Sequence, residues 1–390
     1  MYPHQVERLT GALERTAADA LVAASAANVA YVTGFRSAAQ AVDHAAEIYA
    51  VFTRAGTGLV APADEAAAIV AEGADVGHVA CYGRFHLDVT EARDTDARRT
   101  AALVSEAAAT PAEALARVLS TLGVGHGRVS LDAARLPAAV AGALGARVAG
   151  LTLGEGSAAL DAARAVKGPY EIESLQQALG IAEEGLDALL GALRPGITEL
   201  ETATVWDQEV RRRGATPFCA IVAFGSGSAV PTARPGDRPL RPRDLARFEV
   251  GCSLRGFHAT VARMAVLGEP DARQQALVGA VDAALDAAIE AIRPGADGGS
   301  VLDAAVKAGR AAGLSGFDRH HVGHGVGLEP REAPRLARDG APLEAGMVLA
   351  VQTPVYVVGR AGITIMETVL VTRNGAHSLN RSRRGLVVLD

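Results

Sequence analysis

A pattern that occurs twice constrains this chain most. ALRPGITELETATVWDQEVRRRGA, running through Arg194, is echoed by AIRPGADGGSVLDAAVKAGRAAGL, running through Arg293. In each copy a helix-patterned segment stops at Arg-Pro-Gly, and a second helical segment follows and closes on glycine. Ile172, Leu175, Ala178, Leu179, Ala182, Leu186, Leu189 and Leu190 mark the first helix, and Thr198 with Glu201 forms a capping box for the second. Strand-like segments come next: CAIVAFGSG and RFEVGCSLRGFHATVARMAVLG after the first pair, MVLAVQTPVYVV and AGITIMETVLVT after the second. Arg-Pro-Gly alone is an ordinary helix stop; the agreement of everything around it argues for duplication. The expectation is an α+β domain of two similar halves with pseudo-two-fold symmetry, and a cleft between them for a ligand.

At 390 residues the chain exceeds one such unit, since domains run to roughly 150 residues. Upstream, ADALVAAS, NVAYVTGF, EIYAVFTR and TGLVAP read as strands, and ADEAAAIVAEG and PAEALARVLSTLG as helices. That alternation predicts an α/β domain on a partly parallel sheet, over residues 1–160, with the duplicated domain over 161–390. No GxGxxG or GxxxxGK[ST] follows these strands, so no nucleotide cradle is expected. A net charge of −6 repels phosphate backbones and anionic lipid, and Arg211-Arg212-Arg213 is too short to override it. No window of about 18 uninterrupted apolar residues exists, so neither nucleic acid nor a membrane is an expected partner. Cys81, Cys219 and Cys252 lie far apart and support neither a disulfide framework nor a zinc site. The polar N-terminus lacks an apolar signal core, and the expected location is the cytoplasm.

Several segments resemble the pita-bread family of aminopeptidase P, prolidase, methionine aminopeptidase and creatinase. They are NVAYVTGF from Asn28, VKGPYEI from Val166, HHVGHGVGL from His320, and the run from Gly346-Met347-Val348 to Thr372. The resemblance implies a creatinase-like α/β N-terminal domain, a pita-bread C-terminal domain and a homodimer. The family's metallopeptidases hold two divalent metals with two aspartates, a histidine and two glutamates. Carried over, the first aspartate falls on Glu249, the second on Thr260, the histidine on His324, and the glutamates on Gln352 and Met366. Three carboxylates thus become neutral groups that suit hard divalent cations poorly. The family's two catalytic histidines fall on Thr232 and Arg331. Arg331-Glu332-Ala333 is similar to creatinase, the metal-free member that cleaves a C–N bond in a guanidino acid. Creatinase, however, keeps a histidine where Thr232 stands and a glutamate where this chain has Ala262. The implied reading has no cofactor and no metal, and a substitute metal site of Glu249, His321 and His324 lacks a third anionic ligand.

Several residues are expected to carry the chemistry. His324, between two glycines, is the best general acid–base group, with His321 a second proton carrier and His320 facing elsewhere. Glu249, in an alternating strand, needs a partner that Arg331 or His324 could supply; it would orient the imidazole, bind a cationic group or form a structural ion pair. Glu332 has the same readings, and Arg331 suits a substrate carboxylate. His258, Thr232, Thr260, Gln352 and Met366 are expected to line the substrate pocket with Arg263 and Glu367 nearby. Alternation turns Glu367 away from Met366, towards packing or an ion pair. The expected function is metal-independent hydrolysis of an amide or amidine C–N bond in a small carboxylate-bearing metabolite or short peptide. The alternatives are a non-catalytic pseudo-peptidase that binds such a molecule, and an Xaa-Pro metallopeptidase, which the ligand positions disfavour.

Overall fold

A computed structural model describes residues 1–42, 46–74 and 76–389. The chain divides into two units, Met1–Arg164 and Ala165–Asp390. In the first, strands β1 (Ala20–Ala23), β2 (Tyr49–Thr53), β3 (Gly56–Pro62), β4 (His78–Tyr82), β5 (Gly127–Leu131) and β6 (Leu151–Glu155) form a sheet in the order β4-β3-β2-β1-β5-β6. β2 runs antiparallel to both neighbours, whereas β3–β4, β1–β5 and β5–β6 are parallel pairs. Val22, Val51, Val60, Leu115, Leu119 and Val129 supply an aliphatic core.

NVAYVTGF departs from its sequence reading. Ala26–Thr33 is a helix, capped by Ser25 Oγ, which accepts from the Asn28 amide at 3.1 Å. Gly34 closes it in the left-handed region at φ 76°. The β-branched and aromatic residues imitate a strand, but the caps decide, and Asn28 Nδ2 fixes the helix by donating to Asp132 at 2.8 Å.

The second unit carries the duplication. Helices Pro169–Ala192 and Glu199–Arg212 precede β7 (Thr216–Phe224), β8 (Leu245–Leu254) and β9 (Phe257–Leu267). Helices Ala272–Ala291 and Gly298–Ala311 precede β10 (Gly323–Gly325), β11 (Glu332–Arg335), β12 (Val348–Gln352), β13 (Val355–Val357), β14 (Ala361–Ile363), β15 (Met366–Thr372) and β16 (Gly375–Ser378). The last strand, β17 (Leu386–Leu389), returns to pair with β9, so this unit's first sheet has the order β17-β9-β8-β7 and its second β11-β10-β12-β15-β16, beside a β13–β14 hairpin.

The two Arg-Pro-Gly stops are equivalent in detail. Gly196 and Gly295 take φ 85° and 82°. Their amides donate to Leu240 O at 2.9 Å and Leu343 O at 2.8 Å, and each leucine amide donates back to the residue after the glycine. Thr198 and Glu201 form the expected reciprocal capping box. MVLAVQTPVYVV and AGITIMETVLVT each split into two strands, the first at Thr353-Pro354, where proline cannot donate to a ladder.

Each sheet turns one face to its helices. Phe248, Val250, Cys252 and Val261 pack with Leu186, Leu189, Trp206 and Val210. Leu349, Val351 and Val369 pack with Val281, Leu285 and Val301. The alternate residues of these strands are left for the cleft.

Candidate functional site

Directly paired residues of adjacent antiparallel strands share a face. On β8 and β9 the pairs Arg247–Met264, Glu249–Ala262, Gly251–Thr260 and Ser253–His258 set one face of the first sheet. On the second sheet His324–Ala350, Ala350–Thr368 and Gln352–Met366 do the same. The two faces meet at a buried apolar contact of Ala262, Ala350 and Met366. Glu249, Thr260, His324, Gln352 and Met366 therefore lie on the two sheet faces that meet there. The backbone around His324 is tight: a Cβ on Gly323 would lie 2.4 Å from Ala350 O, and one on Gly325 2.2 Å from Ala333 O.

His324 is buried, and its Nδ1 lies 3.0 Å from Gly325 O. A carbonyl only accepts, so Nδ1 carries the proton and Nε2 of the neutral ring is left as a lone pair. Burial holds the imidazole below its ordinary value, the Gly325 bond opposes this, and the charge of Arg331 adds to the lowering. The lowering favours the neutral form of the ring.

Glu249 finds its partner in Arg247, with Nη1 3.6 Å from Oε2, rather than in His324. Burial raises its carboxyl above the ordinary range against the pull of Arg247 and Arg331. Arg331 itself is exposed, with its charge felt at both Glu249 and His324.

Glu332 does not orient the imidazole. Lys167 Nζ holds its carboxylate at 3.1 Å in a buried ion pair, and the Glu329 amide donates to it at 3.0 Å. Glu367 points away from Met366, as alternation predicts, and pairs with Arg263 Nη2 at 2.9 Å. His321 packs edge-on against the exposed ring of His320, with centroids 4.6 Å apart. Burial, then His320, Arg319, Arg335 and His324, push it down to about 4. His258 packs edge-on against Phe218 at 5.0 Å, its Nδ1 buried without a partner. Thr232 is exposed on the loop after the 3-10 turn Gly225–Ala229. Burial pushes the Cys219 and Cys252 thiols up to about 11 and about 12, so neither is a ready nucleophile.

Among the described residues, no group of three or more His, Cys, Asp or Glu side chains is arranged to hold a metal ion. Nor is any helix there long and apolar enough to cross a membrane. Sequence reading missed Arg247 and Lys167. Arg247 had a legible signal: a charge two residues before Glu249 in an apolar strand must share its face. The Lys167–Glu332 contact spans 165 residues of chain and has no local signature.

Comparison with known proteins fits this architecture. Residues 5–166 match the creatinase/prolidase N-terminal domain. An Xaa-Pro dipeptidase of Pyrococcus furiosus is 30% identical over 227 residues, 57% of this chain and 65% of the relative. A peptidase of Staphylococcus saprophyticus is 32% identical over 219 residues, 55% of this chain and 63% of the relative. These matches span less than two thirds of the relatives' own lengths. The prolidase from Pyrococcus horikoshii has the same fold, with a TM-score of 0.79 over 98% of this chain and 99% of that one at 23% identity. So does the X-Pro aminopeptidase from Thermotoga maritima, with a TM-score of 0.78 over 96% and 99% at 22% identity. Residues 173–373, more than half of the chain, match the metallopeptidase family M24, and the chain belongs to that family.

Proposed function

We propose that this M24 protein is a hydrolase that cleaves a C–N bond in a small, carboxylate-bearing substrate or short peptide, and that it works without a resident metal pair. The observation that carries the reading is the meeting of the two inner faces. Where the family resemblance places metal ligands, the chain offers one carboxylate, one imidazole, an amide, a hydroxyl and a thioether, and Met366 is packed against Ala262 and Ala350. Such a set does not offset about four positive charges or bridge two hard cations. The residues present do not fit a dinuclear site.

Protein groups carry the chemistry in this reading. His324 Nε2 takes a proton from a water attacking the substrate carbonyl carbon, and the proton passes to the leaving nitrogen as the C–N bond breaks. Arg331 faces the substrate carboxylate. Glu332 is held by Lys167 and supports the loop through the Glu329 amide.

The similarity to Xaa-Pro dipeptidases and the match to a metallopeptidase family support a second reading, an Xaa-Pro metallopeptidase, better than they support the metal-independent one. The dipeptidase similarity favours a dipeptide amide over an amidine as the scissile bond more directly than any side chain does. Incubating the full chain with Xaa-Pro dipeptides and N-acyl amino acids, with chelator or with Mn²⁺, separates the two by mass spectrometry of products. Our reading expects hydrolysis that survives chelation and falls about 100-fold or more in His324→Ala. Hydrolysis that requires Mn²⁺ supports the second reading. A rise in melting temperature with substrate but no product supports a binding protein instead.

A further inference from the structure

Arg247 enters no step of the proposed hydrolysis, yet its setting is not that of a packing residue. It is 0% exposed on the inner face of β8, and its neighbours across the sheet are Ala223 and Met264. An aliphatic side chain would fill that position without burying a charge. Nη2 donates to Val230 O at 2.6 Å and to Pro231 O at 3.2 Å. The guanidinium lies over the Tyr356 ring, 5.3 Å from its centroid. Nε and Nη1 are buried and bond to nothing, although Nη1 lies 3.6 Å from Glu249 Oε2.

Two of the three guanidinium nitrogens are thus unmatched, and the carboxylate beside them is Glu249. Glu249 is also the acidic member of the five positions that the family resemblance assigns to metal binding. A divalent cation drawn to it would enter beside a fixed positive charge, in surroundings where water screens little.

We propose that Arg247 is the cleft's resident cation: it neutralises Glu249, pins the Val230-Pro231 loop, and bars divalent metal from the pocket. This rests on the metal-independent reading and explains how the fold tolerates it. Arg247 is a positioning residue, acting through Glu249 and the loop.

The test restores acids to the pocket of the full chain. In a Thr260→Asp/Gln352→Glu/Met366→Glu background, Mn²⁺ affinity is measured by titration calorimetry with residue 247 as Arg, Lys or Leu. The expected result is binding at least tenfold tighter with Arg247→Leu than with Arg or Lys. Equal affinity across the three overturns the proposal. A second cycle uses the natural pocket and reads thermal midpoints, so it holds where the acidic background does not fold. Arg247→Leu is expected to lower the midpoint, and adding Glu249→Gln to recover part of that loss. No recovery overturns the pairing. Two Mn²⁺ ions in the purified unaltered chain would instead overturn the metal-independent reading itself.

Discussion

Arg247 and Arg263 lie on neighbouring strands and are both almost wholly buried, but they are treated differently. Every nitrogen of Arg263 is matched. Nε donates to Arg383 O, Nη1 to Ala262 O and Met366 O, and Nη2 to Glu367, Ser382 O and Ser382 Oγ. Glu367 is matched too, accepting from Ser378 Oγ at 2.5 Å. Next to it Glu183 accepts from Asn380, Arg381 and Ser382. This wall behind the cleft is a polar network that fastens the C-terminal segment. On the inner face of the first sheet, Arg247 keeps two nitrogens unmatched and His258 keeps a buried Nδ1 without a partner. A buried polar group with its partners specifies structure, and one without them is an exception that calls for a reason.

The largest expected effect lies in the wall. Glu367→Ala leaves Arg263 charged and short of its anion, which should cost about 3–5 kcal/mol in urea unfolding. A loss below about 1 kcal/mol would erase the distinction between wall and cleft. Next comes the apolar contact of the cleft. Met366→Ala should cost about 2–3 kcal/mol, because Ala262 and Ala350 are too small to fill the space, whereas Met366→Leu should cost under about 1.5 kcal/mol. Similar losses in the two variants would show that Met366 does not fill the contact.

The smallest effect separates the regions by pH. His321 is lowered from 6.5 to about 4 and His324 is lowered from 6.5, both first by burial. The folded state binds fewer protons at these rings, so their contribution is complete above about pH 6.5 and is lost as pH falls towards the folded values. Burial alone would raise Glu183, but bonds from Ser382, Asn380 and Arg381 outweigh it and leave it below 4.5. Its contribution is lost only as pH falls below that value. Unfolding midpoints between pH 7 and 3 should therefore show His321→Asn flattening the upper part of the decline and Glu183→Gln the lower. One shared window for both variants would contradict the assignment.

Much of this was legible in the sequence because it is local. Arg-Pro-Gly needs a left-handed glycine, Thr198 and Glu201 sit at capping distance, and alternation turns Glu367 from Met366. The same local logic misread NVAYVTGF, where strand-forming side chains conceal two helix caps. Contacts that depend on chain closure were out of reach. Lys167 claims Glu332 across 165 residues, removing an acid from the role its neighbour Arg331 suggested. Arg247 was legible and overlooked, since one charge in an apolar strand reads as an exception until its neighbour two residues on is weighed with it.

Metal-independent hydrolysis in a member of a metallopeptidase family requires that its cleft not hold a metal pair. Elemental analysis of the purified full chain, after incubation with excess Mn²⁺ and removal of free ions by gel filtration, tests it most directly. Less than one metal ion per chain is the expected result. Two tightly bound ions per chain would contradict it.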